Sequence, residues 1–244
     1  MQENNLLCLP KKIYFKKGCT PVALRELKEV YHLRTALLIS DPHTFQVGTV
    51  GKIDKLLRKQ GFRTSTFFSF STIPTFAQVL QVVTQIELFN PEAIIGIGGN
   101  CAMSAAKLAV IFEACGKKSE RKLVLIPTSF SSAGETSSFV IIHVENKDMI
   151  IRSNNSVADI SITDGDFIED LTPEQIKDSL LFFDQVMAQT LHKPDSNTLT
   201  KGLYEEALGL INKYKVPALE GDSVAKEKLH NAITMMGSCL TDVK

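Results

Sequence analysis

The chain has 244 residues, of which 44% are hydrophobic, and its 27 Lys and Arg residues balance its 27 Asp and Glu residues. A chain of this length forms one large domain or two modest ones and buries a core without needing disulfides. The balanced charge argues against a general nucleic-acid binder, and the ordinary apolar content argues against disorder. No stretch approaches about 18 consecutive apolar residues, so we expect no membrane span.

Five cysteines are scattered along the chain without CxxC spacing. An odd, dispersed set suits a reducing compartment better than a disulfide framework. The N-terminal residues lack a basic stretch followed by a long apolar core, so we expect no signal peptide. Together these features predict a cytoplasmic globular protein.

The first 165 residues alternate between short apolar runs, typical of buried strands, and helical patterns. This alternation favours parallel βαβ units and a doubly wound, Rossmann-like α/β sheet. A hairpin turn is predicted at 145–148. Strands are predicted at 13–15, 35–40, 64–70, 93–97, 123–126, 139–144, 149–152 and 160–162, and helices at 21–31, 50–60, 75–89 and 101–115.

From Leu171 onward the pattern changes to a purely helical one. Thr172, Pro173 and Gln175 form a helix-start signature, with Thr172 as the N-cap. Further helical patterns occupy 174–192, 199–214 and 223–240, and Pro194 and the segment 217–222 are expected to break them. We therefore predict two domains, an α/β domain over 1–170 and an all-helical segment over 171–244.

The strongest local signal is the run from Ala93 to Lys107, where a buried strand ends in Gly98 and Gly99 and a helix rich in small residues follows. Glycine lets a phosphate approach the backbone, and N–H groups at a helix start bind anions. The small residues would let the helix lie close to the sheet. Because the spacing matches neither common phosphate-binding motif, the run fits a pyrophosphate site and a tight packed turn equally well.

Two further polar segments follow neighbouring strands. Asp41 comes directly after the strand at 35–40, where an acidic residue commonly accepts the ribose hydroxyls of a dinucleotide. An ordinary Asp-Pro turn explains the same residue and is, for that residue alone, the simpler interpretation. The segment 127–138 is rich in Ser and Thr, which favours either a phosphate or ribose contact or a generic polar loop.

Metal ligands are few in the sequence. The five histidines have neither HxxxH nor HExxH spacing, so each is interpreted as a surface or helix-end residue. Asp184 stands out because it interrupts an apolar run that includes Phe183 and Val186. It is either a metal ligand or a paired interior carboxylate.

These segments, taken in order, resemble the iron-containing alcohol dehydrogenase family, most of all the alcohol dehydrogenase half of bifunctional aldehyde–alcohol dehydrogenases. The opening LPKKIYFKKGCTPVALREL is similar to that group's LPxxIYFxxGxxPxAL. GIGGNCAMSAAK stands where the family has GGGSxxDxAK, and PTSFSSAGETSSF where it has TTxxGTGSEVTPF. LTPEQIKDSLLFFDQVMAQ lies over the segment that ends in GxDAxxHAxE, and EGDSVAKEKLHNAITMMGS is similar to the helix that follows.

The resemblance implies a Rossmann-like domain followed by a helical domain, truncated here, with nicotinamide cofactor, metal and substrate between them. It implies NAD as the cofactor, iron or zinc as the family's metal, and an alcohol or aldehyde as the substrate. By position in the motifs, the implied metal ligand is Asp184, and the implied cofactor-binding residues are Asp41, Gly98, Gly99, Asn100, Cys101, Ser104, Thr128, Ser129, Ser132 and Lys147.

Several positions depart from the family pattern. Asn100 replaces the third glycine of the loop, and Ser104 replaces an aspartate near the nicotinamide. Ala188 lies one helical turn after Asp184, where the family has a histidine ligand, and the family's other two histidines belong to a region beyond Lys244. A divalent ion needs several ligands to compete with water. We therefore expect weak NAD binding, preferred over NADP, and no tightly bound iron or zinc.

Three functional hypotheses remain open. The first is an active NAD-dependent alcohol dehydrogenase, with metal-assisted catalysis impaired or lost. The second is a non-catalytic relative that binds a dinucleotide or acts as an assembly subunit. The third is a piece of a longer enzyme, which ranks below the second because truncation does not explain Asn100, Ser104 or Ala188.

The short helical segment also predicts oligomerisation. Three helices leave little to cover their apolar faces, and large exposed apolar patches usually mark contacts. We expect a homo-oligomer or a partner subunit, with exposed faces formed by Leu180, Phe183 and Met187, and by Ile233, Met236 and Leu240.

Overall fold

A computed structural model describes residues 7–68, 73–131, 133–190 and 198–240. The strands are β1 (Lys12–Phe15), β2 (Thr35–Ser40), β3 (Arg63–Phe68), β4 (Ala93–Gly98), β5 (Lys122–Pro127), β6 (Phe139–Val144), β7 (Lys147–Arg152) and β8 (Ile160–Thr163). The helices are α1 (Thr20–Glu29), α2 (Pro42–Gln46), α3 (Thr49–Lys59), α4 (Phe76–Phe89), α5 (Asn100–Glu113), α6 (Pro173–Thr190), α7 (Thr198–Leu219) and α8 (Ser223–Ser238).

Six strands form one parallel sheet in the order β1, β8, β5, β4, β2, β3, and β6 and β7 pair as a separate antiparallel hairpin. The chain moves outward from β2 to β3 and then returns to the other side of β2 to form β4. The order of the strands therefore reverses between β2 and β4, which is where doubly wound sheets bind ligands. The predicted Rossmann-like α/β fold followed by helices is confirmed.

The central strands are buried on both faces because helices cover each side of the sheet. Leu37 and Ile39 of β2 pack with α4 and α5, whereas Leu38 packs with α1 and α3. Helix α5 lies close to β4, since a Cβ added at Gly96 would be 2.9 Å from the Ala106 Cβ. This close approach accounts for the small residues of α5 that the sequence analysis singled out.

The hairpin turn is shorter than predicted. Only Glu145 and Asn146 form it, with φ of 46° and 68°, while Lys147 and Asp148 already belong to β7. Two left-handed residues give the backbone twist that joins neighbouring antiparallel strands without splaying them. The prediction of a four-residue turn at 145–148 was therefore wrong. Lys147 pairs with Val144 in the antiparallel ladder.

Helix α7 also differs from its prediction, because it continues through Pro217 to Leu219. A proline removes one backbone hydrogen bond but is tolerated where packing holds the helix together. Here Ala218 is fully buried in the core of the helical segment. The Glu220 amide still donates to the Val216 carbonyl at 3.1 Å. The helix therefore ends after Pro217, whereas the sequence had predicted an end before it.

Helix α6 begins as the sequence predicts. The Gln175 amide donates to the Thr172 hydroxyl at 3.3 Å, and the Thr172 amide donates to Gln175 Oε1 at 2.9 Å. These two bonds complete the capping box. Among the described residues after Thr172 all regular structure is helical. The domain division at residue 170 itself stays a prediction.

The apolar faces of the helical segment are buried inside the chain. Leu180, Phe183 and Met236 are each no more than 3% exposed, and they pack between α6, α7 and α8 and against Phe130. Ile233 and Leu240 are buried as well, so these faces do not supply the exposed patches on which the oligomer prediction rested. Within the described ranges, no helix is long and apolar enough to span a membrane.

Candidate functional site

A cavity of about 760 Å³ lies at the carboxyl edge of the sheet, beside the reversal between β2 and β4. Asp41 follows β2, Gly99 follows β4 and Thr128 follows β5, and all three line the cavity. Parallel pairing explains this convergence, because Ser40 is in register with Ile97, and Gly98 with Pro127. The residues that follow these strands therefore reach one edge together. Six implied cofactor-binding residues line the cavity, namely Asp41, Gly99, Asn100, Cys101, Thr128 and Ser129.

Asp41 is the N-cap of α2, a helix that the sequence analysis interpreted as a simple turn. Its carboxylate accepts the Thr44 amide and the Thr44 hydroxyl, both at 2.8 Å. The Thr44 hydroxyl lies 3.4 Å from that of Thr128, which links α2 to the end of β5. Gly98 lies against the same carboxylate, since a Cβ added there would be 2.2 Å from Asp41 Oδ2. The carboxylate is thus fixed in place at the cavity wall.

The turn between β4 and α5 is covered by two serine hydroxyls. Ser131 Oγ accepts the Asn100 backbone N–H at 3.1 Å, and Ser129 Oγ lies 2.9 Å from Ser131 Oγ. A Cβ added at Gly99 would be 3.1 Å from Ser129 Oγ and 3.3 Å from Ser131 Oγ. A larger residue at this position would push the two hydroxyls away from the backbone by a few tenths of an ångström.

Asn100 adds a polar side chain to the turn. Its Oδ1 accepts the Ser104 hydroxyl at 3.3 Å, while Ser104 Oγ itself accepts the Ile141 amide at 3.1 Å. Asn100 lines the cavity, is 6% exposed, and its Nδ2 has no hydrogen-bond partner among the described residues. A buried amide donor without a partner is costly unless a ligand or water accepts from it.

Helix α6 forms the opposite wall of the cavity. Gln175, Asp178, Ser179 and Phe182 line it at the spacing of one helical face. Gln175 Nε2 lies 3.5 Å from His43 Nε2 of α2, so the two walls approach each other at the rim. The cavity therefore lies between the sheet edge and the first helix of the helical segment.

Cys101 lines the cavity but is a poor nucleophile. Burial, and then the nearby Asp41 carboxylate, raise the pKa of its thiol well above the usual value. A thiol with a raised pKa stays protonated at neutral pH and does not attack or bind metal readily. The thiol is therefore a packing group at the start of α5.

Three of the implied cofactor-binding residues that the structure describes do not line the cavity. Gly98 lies against the Asp41 carboxylate, and Ser104 is buried one turn into α5. Lys147 is exposed on the hairpin strand β7 and is absent from the cavity wall. Ser132 lies outside the described residues.

Asp184 also lies away from the cavity. It is 55% exposed and forms an ion pair with Lys215 of α7, with an Oδ2 to Nζ distance of 3.2 Å. Ala188, one turn later, is exposed on the same face, whereas Phe182 faces the cavity. The alternative prediction was a paired carboxylate in the interior. Asp184 is paired, but it lies at the surface, so its predicted location was wrong. Among the described residues, no group of three or more His, Cys, Asp and Glu side chains is placed to hold a metal ion.

Two buried titratable residues, Lys107 and Glu135, are features that the sequence analysis did not anticipate. The Lys107 Nζ donates to the Ser137 and Phe139 carbonyls at 2.7 and 3.1 Å, and Thr234 donates to Glu135 at 2.8 Å. Burial lowers the pKa of Lys107 to about 7 and raises the pKa of Glu135. The pair ties the loop after β5 to α5 and α8. The signal was present, because Lys107 ends the matched segment GIGGNCAMSAAK and Glu135 lies within the matched segment PTSFSSAGETSSF.

His230 of α8 is a second buried group that the sequence did not reveal. It is 1% exposed, its ring meets the Phe130 ring edge-on, and neither ring nitrogen has a hydrogen-bond partner among the described residues. Burial lowers the pKa of His230 to about 4, against the opposing effect of Asp164. The histidine is therefore neutral in the folded chain and is neither a surface nor a helix-end residue.

Two cavity residues that sequence reasoning missed had different signals. Thr44 was foreseeable, because Asp-Pro-x-Thr places an N-cap, a proline at the first helical position and a polar residue at the third. Ser131 was not foreseeable, because only the folded loop brings its hydroxyl to the Asn100 amide.

The fold and this cleft define a doubly wound α/β protein with a cavity at the carboxyl edge of a parallel sheet, where such folds bind ligands. A family model described as iron-containing alcohol dehydrogenase matches residues 10–165, which is more than half of the chain. The chain belongs to the iron-containing alcohol dehydrogenase family.

Individual relatives agree with this assignment. The chain is 26% identical over 267 aligned residues to aldehyde-alcohol dehydrogenase 2 of Entamoeba histolytica, and the match covers 97% of this chain but 30% of that protein. Alcohol dehydrogenase from Oenococcus oeni has a TM-score of 0.86 at 17% identity, covering 98% of this chain and 67% of its own. Sulfoacetaldehyde reductase from Bifidobacterium kashiwanohense, solved in complex with NAD+, has a TM-score of 0.83 at 18% identity, with 98% and 67% covered. At these identities the structural likeness establishes the fold.

Proposed function

We propose that this chain binds a nicotinamide dinucleotide in the cavity beside β2 and β4, with NAD preferred over NADP. The observation that carries the proposal is the convergence of Asp41, the Gly99–Asn100 turn and Thr128 on one cavity. A glycine turn that opens a helix suits pyrophosphate, and a carboxylate after the neighbouring strand suits ribose hydroxyls. A structure of similar fold holds NAD+, which supports the same ligand class.

The coenzyme preference follows from the charge of Asp41. Its carboxylate would accept hydrogen bonds from the ribose hydroxyls of NAD and would repel the additional phosphate of NADP. Both oxygens already accept from Thr44 but retain lone pairs for a ligand. Asn100 adds side-chain bulk where the family has glycine, and this bulk is expected to weaken binding without abolishing it, because its Nδ2, which has no partner among the described residues, offers a donor in return.

We further propose that metal-dependent alcohol oxidation is impaired or lost in this chain. The residues do not fit a catalytic iron or zinc, because Asp184 is exposed and paired with Lys215, and Ala188 offers no lone pair. A catalytic ion of this kind needs about three protein ligands. The alternative is a non-catalytic subunit, and it is favoured by the same ligand losses.

The decisive experiment is calorimetry of the purified chain with NAD+ and NADP+. We expect measurable NAD+ binding and weaker NADP+ binding. A heat of zero for NAD+ at millimolar concentration would refute the cofactor proposal.

A second assay addresses catalysis. The chain is incubated with iron(II) or zinc, NAD+ and small primary alcohols or aldehydes, and NADH absorbance is followed. We expect no metal-dependent turnover. Turnover that requires metal and is lost in Asp184→Ala would show that the proposed loss of catalysis is wrong.

Assembly and location are also proposals. We propose a cytoplasmic protein that forms a homo-oligomer or joins a partner subunit. Exposed apolar side chains support a contact surface, including Leu181, Leu199 and Val216 on the helical segment. Light scattering at micromolar concentration tests this, and a well-behaved monomer would contradict it.

A further inference from the structure

The strongest unexplained feature is the occupation of the proposed pyrophosphate site by the protein's own side chain. The backbone N–H of Asn100, the first residue of α5, donates to Ser131 Oγ at 3.1 Å. An anion at a helix start uses backbone N–H groups of this kind. A serine hydroxyl therefore takes the backbone donor that a phosphate oxygen would use if pyrophosphate bound here.

The hydroxyl of Ser131 is held in this position by the Asn100 amide and by a second hydroxyl. Ser129 Oγ lies 2.9 Å from Ser131 Oγ, and both lie within 3.3 Å of where a Gly99 Cβ would stand. The two hydroxyls thus fill the space over the glycine that a phosphate would otherwise enter.

An independent observation indicates that the site is built for a ligand that accepts hydrogen bonds. Asn100 lines the cavity at 6% exposure, and its Nδ2 has no partner among the described residues. Its orientation is set by Ser104, whose oxygen accepts the Ile141 amide, so that its single proton is directed to Asn100 Oδ1. The amide nitrogen is left as a buried donor that no described residue satisfies, and a phosphate oxygen that displaced Ser131 would accept from it.

We propose that Ser131 is an intramolecular competitor of the dinucleotide, whose hydroxyl must leave the Asn100 amide before pyrophosphate binds. The inference rests on the proposed dinucleotide site and adds the residue that sets its affinity. Binding exchanges the bond between Asn100 and Ser131 for one between Asn100 and phosphate. Each binding event therefore loses the free energy of one internal hydrogen bond.

The test compares the intact chain with Ser131→Ala and Ser131→Thr by calorimetry, with NAD+, ADP and adenosine as probes. We expect Ser131→Ala to bind NAD+ and ADP about fivefold more tightly, the size expected for one neutral hydrogen bond. Ser131→Thr keeps the hydroxyl and should bind as the wild type does. Adenosine carries no phosphate, so its affinity should not change.

Hydrogen exchange of the Asn100 amide, measured by NMR, gives a readout that does not depend on affinity. We expect protection in the free wild type, faster exchange in Ser131→Ala, and restored protection of that variant when ADP is added. Unchanged or weaker ADP binding by Ser131→Ala, while the wild type binds ADP, would overturn the competitor role alone. Absence of NAD+ and ADP binding in all three proteins would overturn the dinucleotide proposal and this inference together.

Discussion

The implied site residues lie together at the sheet edge, whereas the one in the helical segment lies apart from them. At the sheet edge, residues far apart in sequence, such as Asp41 and Thr128, line one cavity. In the helical segment, Asp184 lies on the outer face of α6 and pairs with Lys215. The carboxyl ends of parallel strands meet wherever the strands pair, whereas the direction of a helical side chain depends on what the helix packs against. The motif matches therefore named residues that lie together at the sheet edge, but in the helical segment they named an aspartate at the surface.

The largest expected effect concerns the contact that joins the two regions. A Cβ added at Gly237 of α8 would be 2.3 Å from the Ala133 carbonyl oxygen and 2.4 Å from Thr136 Oγ1. We expect Gly237→Ala to lower the free energy of unfolding by about 3 kcal/mol, because the loop after β5 must shift. Urea unfolding measures this change.

A matched variant serves as the control. Gly209 lies within α7, and nothing stands within 4 Å of its added Cβ. Gly209→Ala should raise the free energy of unfolding by up to about 1 kcal/mol, since alanine favours the helix. Equal effects of the two variants would mean that α8 does not pack tightly against the loop.

The next effect is a pH dependence located in the helical segment. The pKa of His230 is lowered to about 4 in the folded chain, so below about pH 6.5 the unfolded chain binds a proton that the folded chain does not. Stability is then lost as the pH falls through this window. Between pH 7 and pH 5 the wild type should lose about 2 kcal/mol more than His230→Leu does.

The measurement is urea unfolding at both pH values. His43→Gln alters an exposed histidine at the cavity rim and should leave the wild-type pH dependence in place. If His230→Leu keeps the full wild-type loss of stability, the buried neutral histidine is not its source.

A third effect addresses the sheet edge. We expect Asp41→Ser to reduce the preference for NAD over NADP about tenfold, because one negative charge is removed from the ribose position. Serine still caps a helix, so α2 is preserved. Calorimetry with both dinucleotides gives the ratio.

Asp178→Asn is the control for general electrostatics, since it removes the same charge from the opposite cavity wall. Its NAD/NADP ratio should stay near that of the wild type. Similar changes of the NAD/NADP ratio in both variants would contradict a specific contact between Asp41 and the ribose.

The smallest expected effect concerns Asp184. Its ion pair with Lys215 is exposed, and exposed pairs contribute about 0–1 kcal/mol. Asp184→Ala should therefore change stability by less than about 0.5 kcal/mol and leave the content of bound iron or zinc unchanged. Mass spectrometry of the metal-exposed protein would contradict this if the variant lost an equivalent of metal that the wild type retains.

Much of the fold was predictable because its signals are local. The strands at β2 and β4 are short apolar runs bounded by polar or glycine residues, and the Thr172 and Gln175 capping box marked the start of α6. Details that depend on backbone twist or on packing were not predictable. The two-residue turn at Glu145 and Asn146 and the passage of α7 through Pro217 are examples.

The sequence by itself determined the parallel α/β architecture, the positions of the strand ends and the glycine turn, since hydrophobic period and glycine act within a few residues of chain. Only the tertiary structure decided that Ser131 caps the Asn100 amide, that the His230 ring nitrogens have no hydrogen-bond partner among the described residues, and that Asp184 faces solvent. The reason is that each of these depends on which distant segment lies opposite the side chain. No local pattern carries that information.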